Sequence, residues 1–303
     1  MNRVIQVGGA LLGVLCLLIF VGQSQAMTST NYEIRFDSVT SGGDDTSSSA
    51  TYQVRDSVNS TAPTVSSSTT YQAAAGYRTG IYDRVADFSV LIQDKTSQVA
   101  ASSISSTTVT VTSISGYAVG DYVALVQDEG ASQVTAMGYV TVASGSDITV
   151  DAWTPSAPTI DGTNDYLYNL DGTTLALGTL SESIVTTAII GWDVTVDNDD
   201  GYTVYLYEDG ELLSGGNTVA DVSDGTVTAG ASEHGARSSD SSLASSTFDT
   251  ADTGITTSYQ EVATRGDNAH AQRDFITLKT AISSGQASGS YTQELYLMYV
   301  GDY

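Results

Sequence analysis

Apolar and polar residues alternate along most of this 303-residue chain. The runs TVTVTSI (108–114), WDVTV (192–196), YTVYLYE (202–208), FITLKTAI (275–282) and YTQELYLMYV (291–300) each place apolar or aromatic residues at every second position. In an extended strand such positions share one face. Helical periodicity is hard to find after Ala26. Turn signals separate the runs: Asn198-Asp199-Asp200-Gly201 before YTVYLYE, Asp209-Gly210 after it, and Ser284-Gly285 and Ser288-Gly289 ahead of the last run. Short strands broken by Gly, Asp and Ser turns predict an all-β fold of the sandwich or barrel kind.

Nearer the N-terminus, three polar runs each lead into a tyrosine: TSTNYEI (28–34), SSSATYQ (47–53) and SSSTTYQ (66–72). Tyr32, Tyr52 and Tyr71 stand at near-even spacing, and Gly42-Gly43-Asp44-Asp45 and Thr61-Ala62-Pro63 fall between the copies, where chain reversals belong. This favours repeated strands, with tyrosines stacking across them, over accidental low complexity. The segment 27–84 holds few large apolar residues, so it is expected to lean on the next domain or on another chain.

Residues 1–26 read as a secretory signal: Arg3, an apolar stretch over 4–22, then Ser24-Gln25-Ala26 as a small-residue cleavage site. The alternative is an uncleaved membrane anchor. Cleavage would leave no cysteine, since the single Cys16 lies in the apolar stretch, and stability must then come from burial and hydrogen bonding. The expected location is extracellular, at the cell surface, with no membrane insertion after signal cleavage. The chain has 35 Asp+Glu against 10 Lys+Arg, a net charge of −25. Nucleic acid is excluded as a partner on that account, because phosphate binding needs a basic surface.

The run SSSATYQVRDSVNSTAPTVSSSTTYQAAAGYRTG (47–80) resembles a repeat of secreted bacterial surface proteins. The later run LGTLSESIVTTAIIGWDVTVDNDDGYTVYLYEDGELLSGG (177–216), with SGSYTQELYLMYV (288–300), resembles the WxL-type cell-wall-binding domains and their relatives. The WxL motif itself is absent, since Trp192 stands in GWDV and Trp153 in AWTP, so peptidoglycan binding does not carry over. The resemblance implies a β-sandwich that opens with DFSVLIQ (87–93), continues with an LGTLS strand, and ends with the 291–300 run. Between opening and continuation lie GYAVGDYVALV (116–126), MGYVTVASGSDITVDAW (137–153) and NDYLYNLDG (164–172), read as strands of a small β subdomain. The expected organisation is a signal at 1–26, the repeated-strand segment at 27–84, and a β-sandwich at 85–303 with a small β subdomain inserted at about 101–175. Consecutive domains fit the periodicity equally well. The sandwich should draw on 87–100 and 176–303, with Val194, Val196, Val204, Leu206, Leu295 and Leu297 in its core.

Catalytic chemistry has little to stand on. Of two histidines, His234 lies in GASEHGARSSD beside Ser232 and Glu233, but no Gly-x-Ser-x-Gly elbow, phosphate loop or dinucleotide fingerprint is present. The expectation is a protein that is not an enzyme. Calcium is the cation that Asp197, Asn198, Asp199 and Asp200, crowded before Gly201, would suit. EF-hand spacing fails there, since Val196 would occupy the first ligand position and Tyr207 the last; the alternative is a turn capping its own backbone. DGTND (161–165) is a second oxygen-rich loop. Tyr202, Tyr205, Tyr207, Tyr291, Tyr296 and Tyr299 could form a platform for sugar rings, although alternation puts Tyr205 and Tyr207 opposite Tyr202. Lys95 and Lys279 could enter isopeptide bonds, with no partner visible in the sequence. The function expected is an exported cell-surface structural or adhesive protein, a subunit of a filament, pilus-like fibre or surface array, associating with itself through β-strand edges or with other surface proteins. The alternative is an extracellular module that binds glycans or binds its ligand with calcium.

Overall fold

The computed structural model describes residues 86–198 and 200–302, together with four short strands nearer the N-terminus. Among the described residues every regular element is a strand, as the alternation predicts. The chain divides into two compact units, 1–84 and 85–303. In the first, β1 (Thr28–Ser29) pairs antiparallel with β2 (Tyr32–Glu33), and β3 (Val65–Ser67) with β4 (Gln72–Ala74). Tyr32 lies in β2; Tyr52, Tyr71 and the whole of 1–26 lie outside the described residues.

The second unit begins with β5 (Ala86–Ile92), whose sheet neighbour β12 (Thr186–Val196) comes much later in the chain. The intervening chain forms β6 (Asp94–Ser105), β7 (Thr108–Val111), β8 (Tyr122–Gln127), β9 (Val134–Ser144), β10 (Asp147–Val150) and β11 (Tyr166–Asn169). These six close into a barrel in the order β10-β7-β6-β11-β8-β9. The opening strand expected over 87–93 is β5, whereas residues 94–100, expected in the sandwich, belong to β6 of the barrel. Gln93, 2% exposed, accepts from Ile189 N through its Oε1 (3.0 Å) and donates its own N–H to Ile189 O (3.1 Å). Its side chain thereby completes the ladder on β12 and lets the backbone turn away into β6.

The remaining strands are β13 (Tyr202–Glu208), β14 (Leu212–Ser214), β15 (Asn217–Asp221), β16 (Glu233–Ser238), β17 (Gln260–Arg265), β18 (Ala269–Ala281) and β19 (Leu295–Gly301). They form a six-stranded sheet, β14-β15-β16-β18-β12-β5, and a three-stranded sheet, β17-β13-β19. One hydrophobic cluster joins the two: Trp192, Val194 and Val196 of β12, Tyr202, Val204 and Leu206 of β13, and Ile276 and Leu278 of β18, with Leu295 and Leu297 packed against it partly buried.

Parts of β8, β12 and β18 are buried on both faces, and in β8 and β12 these parts read as unbroken apolar runs, YVALV and AIIGW. In β8, Val123 and Leu125 fill the barrel while Ala124 and Val126 face outward. In β12, Ile190 and Trp192 enter the sandwich while Ile189 faces the other way. Ala124, Val126, Met137, Tyr168, Ile189 and Phe275 form the seam between barrel and sandwich. A Cβ on Gly191 would stand 2.6 Å from Met137 Sδ, so glycine there permits the close approach. Arg273 of β18, 6% exposed, adds a bidentate pair to Asp151 at 2.8 Å for both bonds.

Two expected strands differ. LGTLS (177–181) carries no strand, because Gly178 at φ 77° bends the backbone out of extension. The last strand starts at Leu295 rather than at residue 291: Tyr291 OH donates to Ala287 O (2.7 Å), and Thr292 bridges to Leu213.

Candidate functional site

Strand β13 presents chemistry on both of its faces. Its inward row is Tyr202, Val204, Leu206 and Glu208, all buried, and its outward row includes Tyr205 and Tyr207. The ladder sets Tyr207 opposite Tyr296 of β19, and their rings stack at 4.8 Å with an interplanar angle of 10°. Tyr259, just ahead of β17, stands edge-on to Tyr207 (4.8 Å, 86°) and to Tyr205 (6.3 Å, 62°). Tyr259 is 61% exposed and Tyr296 39%, so the cluster is open to solvent. Beside it lies a groove of about 420 Å³ lined by Tyr205, Ser245, Ser246, Thr253, Tyr259 and Glu261. Flat aromatic faces thus adjoin a wall of hydroxyl and carboxylate groups.

The sequence reading separates Tyr205 and Tyr207 from Tyr202, and the structure does the same. Tyr202 is 1% exposed and packs with Tyr299 inside the sandwich. Tyr259 did not stand out in the sequence because it lies in no alternating run.

The inward row of β13 ends in a carboxylate. Glu208 (4% exposed) meets His234 (3%) of β16 and Asp221 of β15 at the rim of the sandwich interior. Asp221 and His234 are direct partners in the short parallel ladder between β15 and β16. His234 Nε2 lies 3.4 Å from Asp221 Oδ1 and 3.8 Å from Glu208 Oε2. Its Nδ1 donates to Ala220 O (3.1 Å), since a carbonyl can only accept. Gln293 donates to Glu208 Oε2 and to Gly210 O (2.9 Å). Burial, then repulsion from Asp221, Glu211 and Asp209, pushes the Glu208 carboxyl up to about 8. Burial also raises Asp221, against the pull of His234. Ser232, by contrast, bonds Ser283 (2.9 Å), so His234 serves a carboxylate cluster and not the serine beside it in sequence.

The acidic loop before β13 is arranged otherwise. Asn198 is buried and donates to Gly201 O (2.8 Å) and to Asp302 O, closing the turn on itself. Asp197 and Asp200 are exposed, and Asp199 lies outside the described residues. In the second oxygen-rich loop, Asp165 accepts backbone N–H groups from Asp128, Asp161 and Gly162 at 2.9–3.1 Å and is a loop cap. Both lysines have carboxylate partners. Lys279 Nζ sits 2.8 Å from Asp252 Oδ1 in a buried pair, and Lys95 Nζ lies 3.3 Å from Glu129. The Lys95–Glu129 pair lies in a cleft of about 590 Å³ beside β12, where Tyr168 OH also donates to Glu129 (2.9 Å). In that cleft Lys95, Gln98, Glu129 and Tyr168 thus bond one another.

Comparison with protein-family models, with curated proteins and with solved structures finds no match for this chain. The functional reading therefore rests on the chemistry of these side chains.

Proposed function

We propose that this is an exported surface protein with an adhesive role, and that it binds carbohydrate on the tyrosine face of the β17-β13-β19 sheet. The observation that carries the reading is the solvent-open cluster of Tyr205, Tyr207, Tyr259 and Tyr296 beside a hydroxyl-rich groove. Sugar rings offer C–H faces to stack on aromatic rings and hydroxyls to bond a polar wall, so they suit both halves of this surface. Nucleobases also stack on tyrosine, but a net charge of −25 repels their phosphates. The groove volume falls in the range common for small-ligand sites, about 300–1,000 Å³.

The test is glycan-array screening of the protein lacking residues 1–26, followed by calorimetry on the best oligosaccharide. Tyr259→Ala should weaken binding by roughly tenfold or more, as loss of a stacking aromatic does elsewhere. Its far-ultraviolet spectrum should stay unchanged, because the ring is mostly in water. Wild type and variant binding alike, or no glycan bound at millimolar concentration, defeats the reading.

A second reading, a subunit of a filament or array, is supported by the edge position of β19 in the short sheet. Among the described residues β19 pairs with β13 alone, and Tyr296 and Val300 on it are exposed. An unpaired strand edge can accept a strand from another copy. Light scattering on the protein without residues 1–26 tests this, and a monomer at high concentration counts against it.

A further inference from the structure

We infer that Glu208, Asp221 and His234 form a binding site for one first-row divalent metal ion of the zinc type. All three occupy inward-facing positions where strands β13, β15 and β16 run out at the rim of the sandwich, and their ligand atoms lie within 4.8 Å of one another. Oxygen and nitrogen ligands about 2 Å from a tetrahedral ion stand roughly 3–4 Å apart, and the two distances from His234 Nε2, 3.4 and 3.8 Å, match that spacing.

A second, independent observation concerns protons. With Nδ1–H given to Ala220 O, His234 turns Nε2 toward the carboxyl oxygens of Asp221 and Glu208. Gln293 Nε2 lies 3.2 Å from it and shares two amide protons among His234 Nε2, Glu208 Oε2 and Gly210 O. Among the described residues the buried Asp221 Oδ1 has no hydrogen-bond donor. A buried ring nitrogen and a buried carboxylate oxygen therefore face each other at 3.4 Å, with a third ligand oxygen, Glu208 Oε2, 3.8 Å from the nitrogen. A cation resolves this directly, and a histidine whose far nitrogen is held by a backbone carbonyl is the usual form of a metal ligand. Gln293, donating to Glu208, would fix the orientation of that ligand. Asp221, with its side chain 31% exposed, leaves a path from solvent. One imidazole with two carboxylates suits zinc, cobalt or manganese, whereas calcium calls for six or more oxygens.

The experiment uses the chain without residues 1–26, stripped with chelator and titrated with zinc by calorimetry. An excess of calcium is kept in the buffer to occupy weak acidic surface sites. One strong site per chain is expected, with cobalt giving the intense visible bands of a four-coordinate ion. His234→Ala should weaken zinc by about 100-fold or more. Asp221→Asn, at a half-open position that tolerates change, should weaken it by roughly 10–100-fold while the far-ultraviolet spectrum holds. No strong site in the wild type, or a strong site of equal affinity in Asp221→Asn, overturns the assignment and leaves the cluster as an imidazolium held between two carboxylates. The readout is metal uptake, so it succeeds or fails independently of carbohydrate binding.

Discussion

Asp274 sets a measurable pH dependence of stability. It lies on β18 opposite Trp192, only 9% exposed, and accepts a hydrogen bond from Ser239 Oγ (3.1 Å). Burial first, and repulsion from Asp240 second, raise its carboxyl from the ordinary 3.8 to about 6, against the Ser239 and Gln272 hydrogen bonds and the charge of Arg265. The folded state therefore binds the Asp274 proton more tightly than the unfolded state does. Its contribution is fully present below the unfolded value near 4 and is lost as pH rises through about 6. Two units at about 1.4 kcal/mol each amount to about 3 kcal/mol, an order-of-magnitude figure. Asp274→Asn stays neutral throughout and keeps an acceptor for Ser239, so it removes the titration while preserving the shape. Urea unfolding of both proteins, followed by tryptophan fluorescence from about pH 4 to about pH 8, isolates the effect, because repulsion among the many other acids cancels in the difference. The wild type should lose about 3 kcal/mol relative to the variant across that span. A difference that stays constant, or a wild type that gains as pH rises, refutes the argument.

Two further outcomes follow from single contacts. Gly201 sits at φ 78°, and a Cβ there would lie 1.8 Å from Arg265 O, so Gly201→Ala should cost more than about 2 kcal/mol in urea unfolding. Asp151→Ala leaves the buried Arg273 guanidinium without its partner; since Asp151 is 40% exposed, the loss should be about 1–3 kcal/mol, below that of a fully buried pair. Hydrogen exchange should then quicken in β9 and β10 of the barrel and leave β13 unchanged, and uniform acceleration would contradict the role given to this pair.

Much of the fold was legible because alternation is a local property. YTVYLYE coincides with β13 residue for residue, and its even-numbered residues are all buried, with Thr203 the one buried residue of the other row. Strands walled on both sides, such as β8, show as apolar runs whose two faces cannot be told apart until the partner sheet is known. The departure at Gln93 was hidden, because a buried glutamine side chain standing in for backbone leaves no periodic mark. The tyrosine face was half visible: Tyr205 and Tyr207 could be assigned to one side, but Tyr259 reaches it from a loop. The Glu208, Asp221 and His234 cluster was not legible at all. A parallel pairing of two residues brings Asp221 beside His234, and no spacing rule connects either with the end of β13.

The barrel between β5 and β12 has a consequence for the order in which the chain gains structure. Ile92, where β5 ends, bridges in parallel to Asp171, and Gly172 N donates to Ile92 O (2.8 Å), so the barrel's entry and exit lie side by side. While the barrel is unformed, β5 and β12 are joined by a long open loop, and pairing them costs the closure entropy of that loop. Once its six strands close, the loop that pairing must still close shrinks to the residues between Gly172 and Thr186. Emerging β5 would thus wait as an unmatched edge until the barrel assembles, and mutations that slow barrel closure would lengthen the time it stays exposed to other chains.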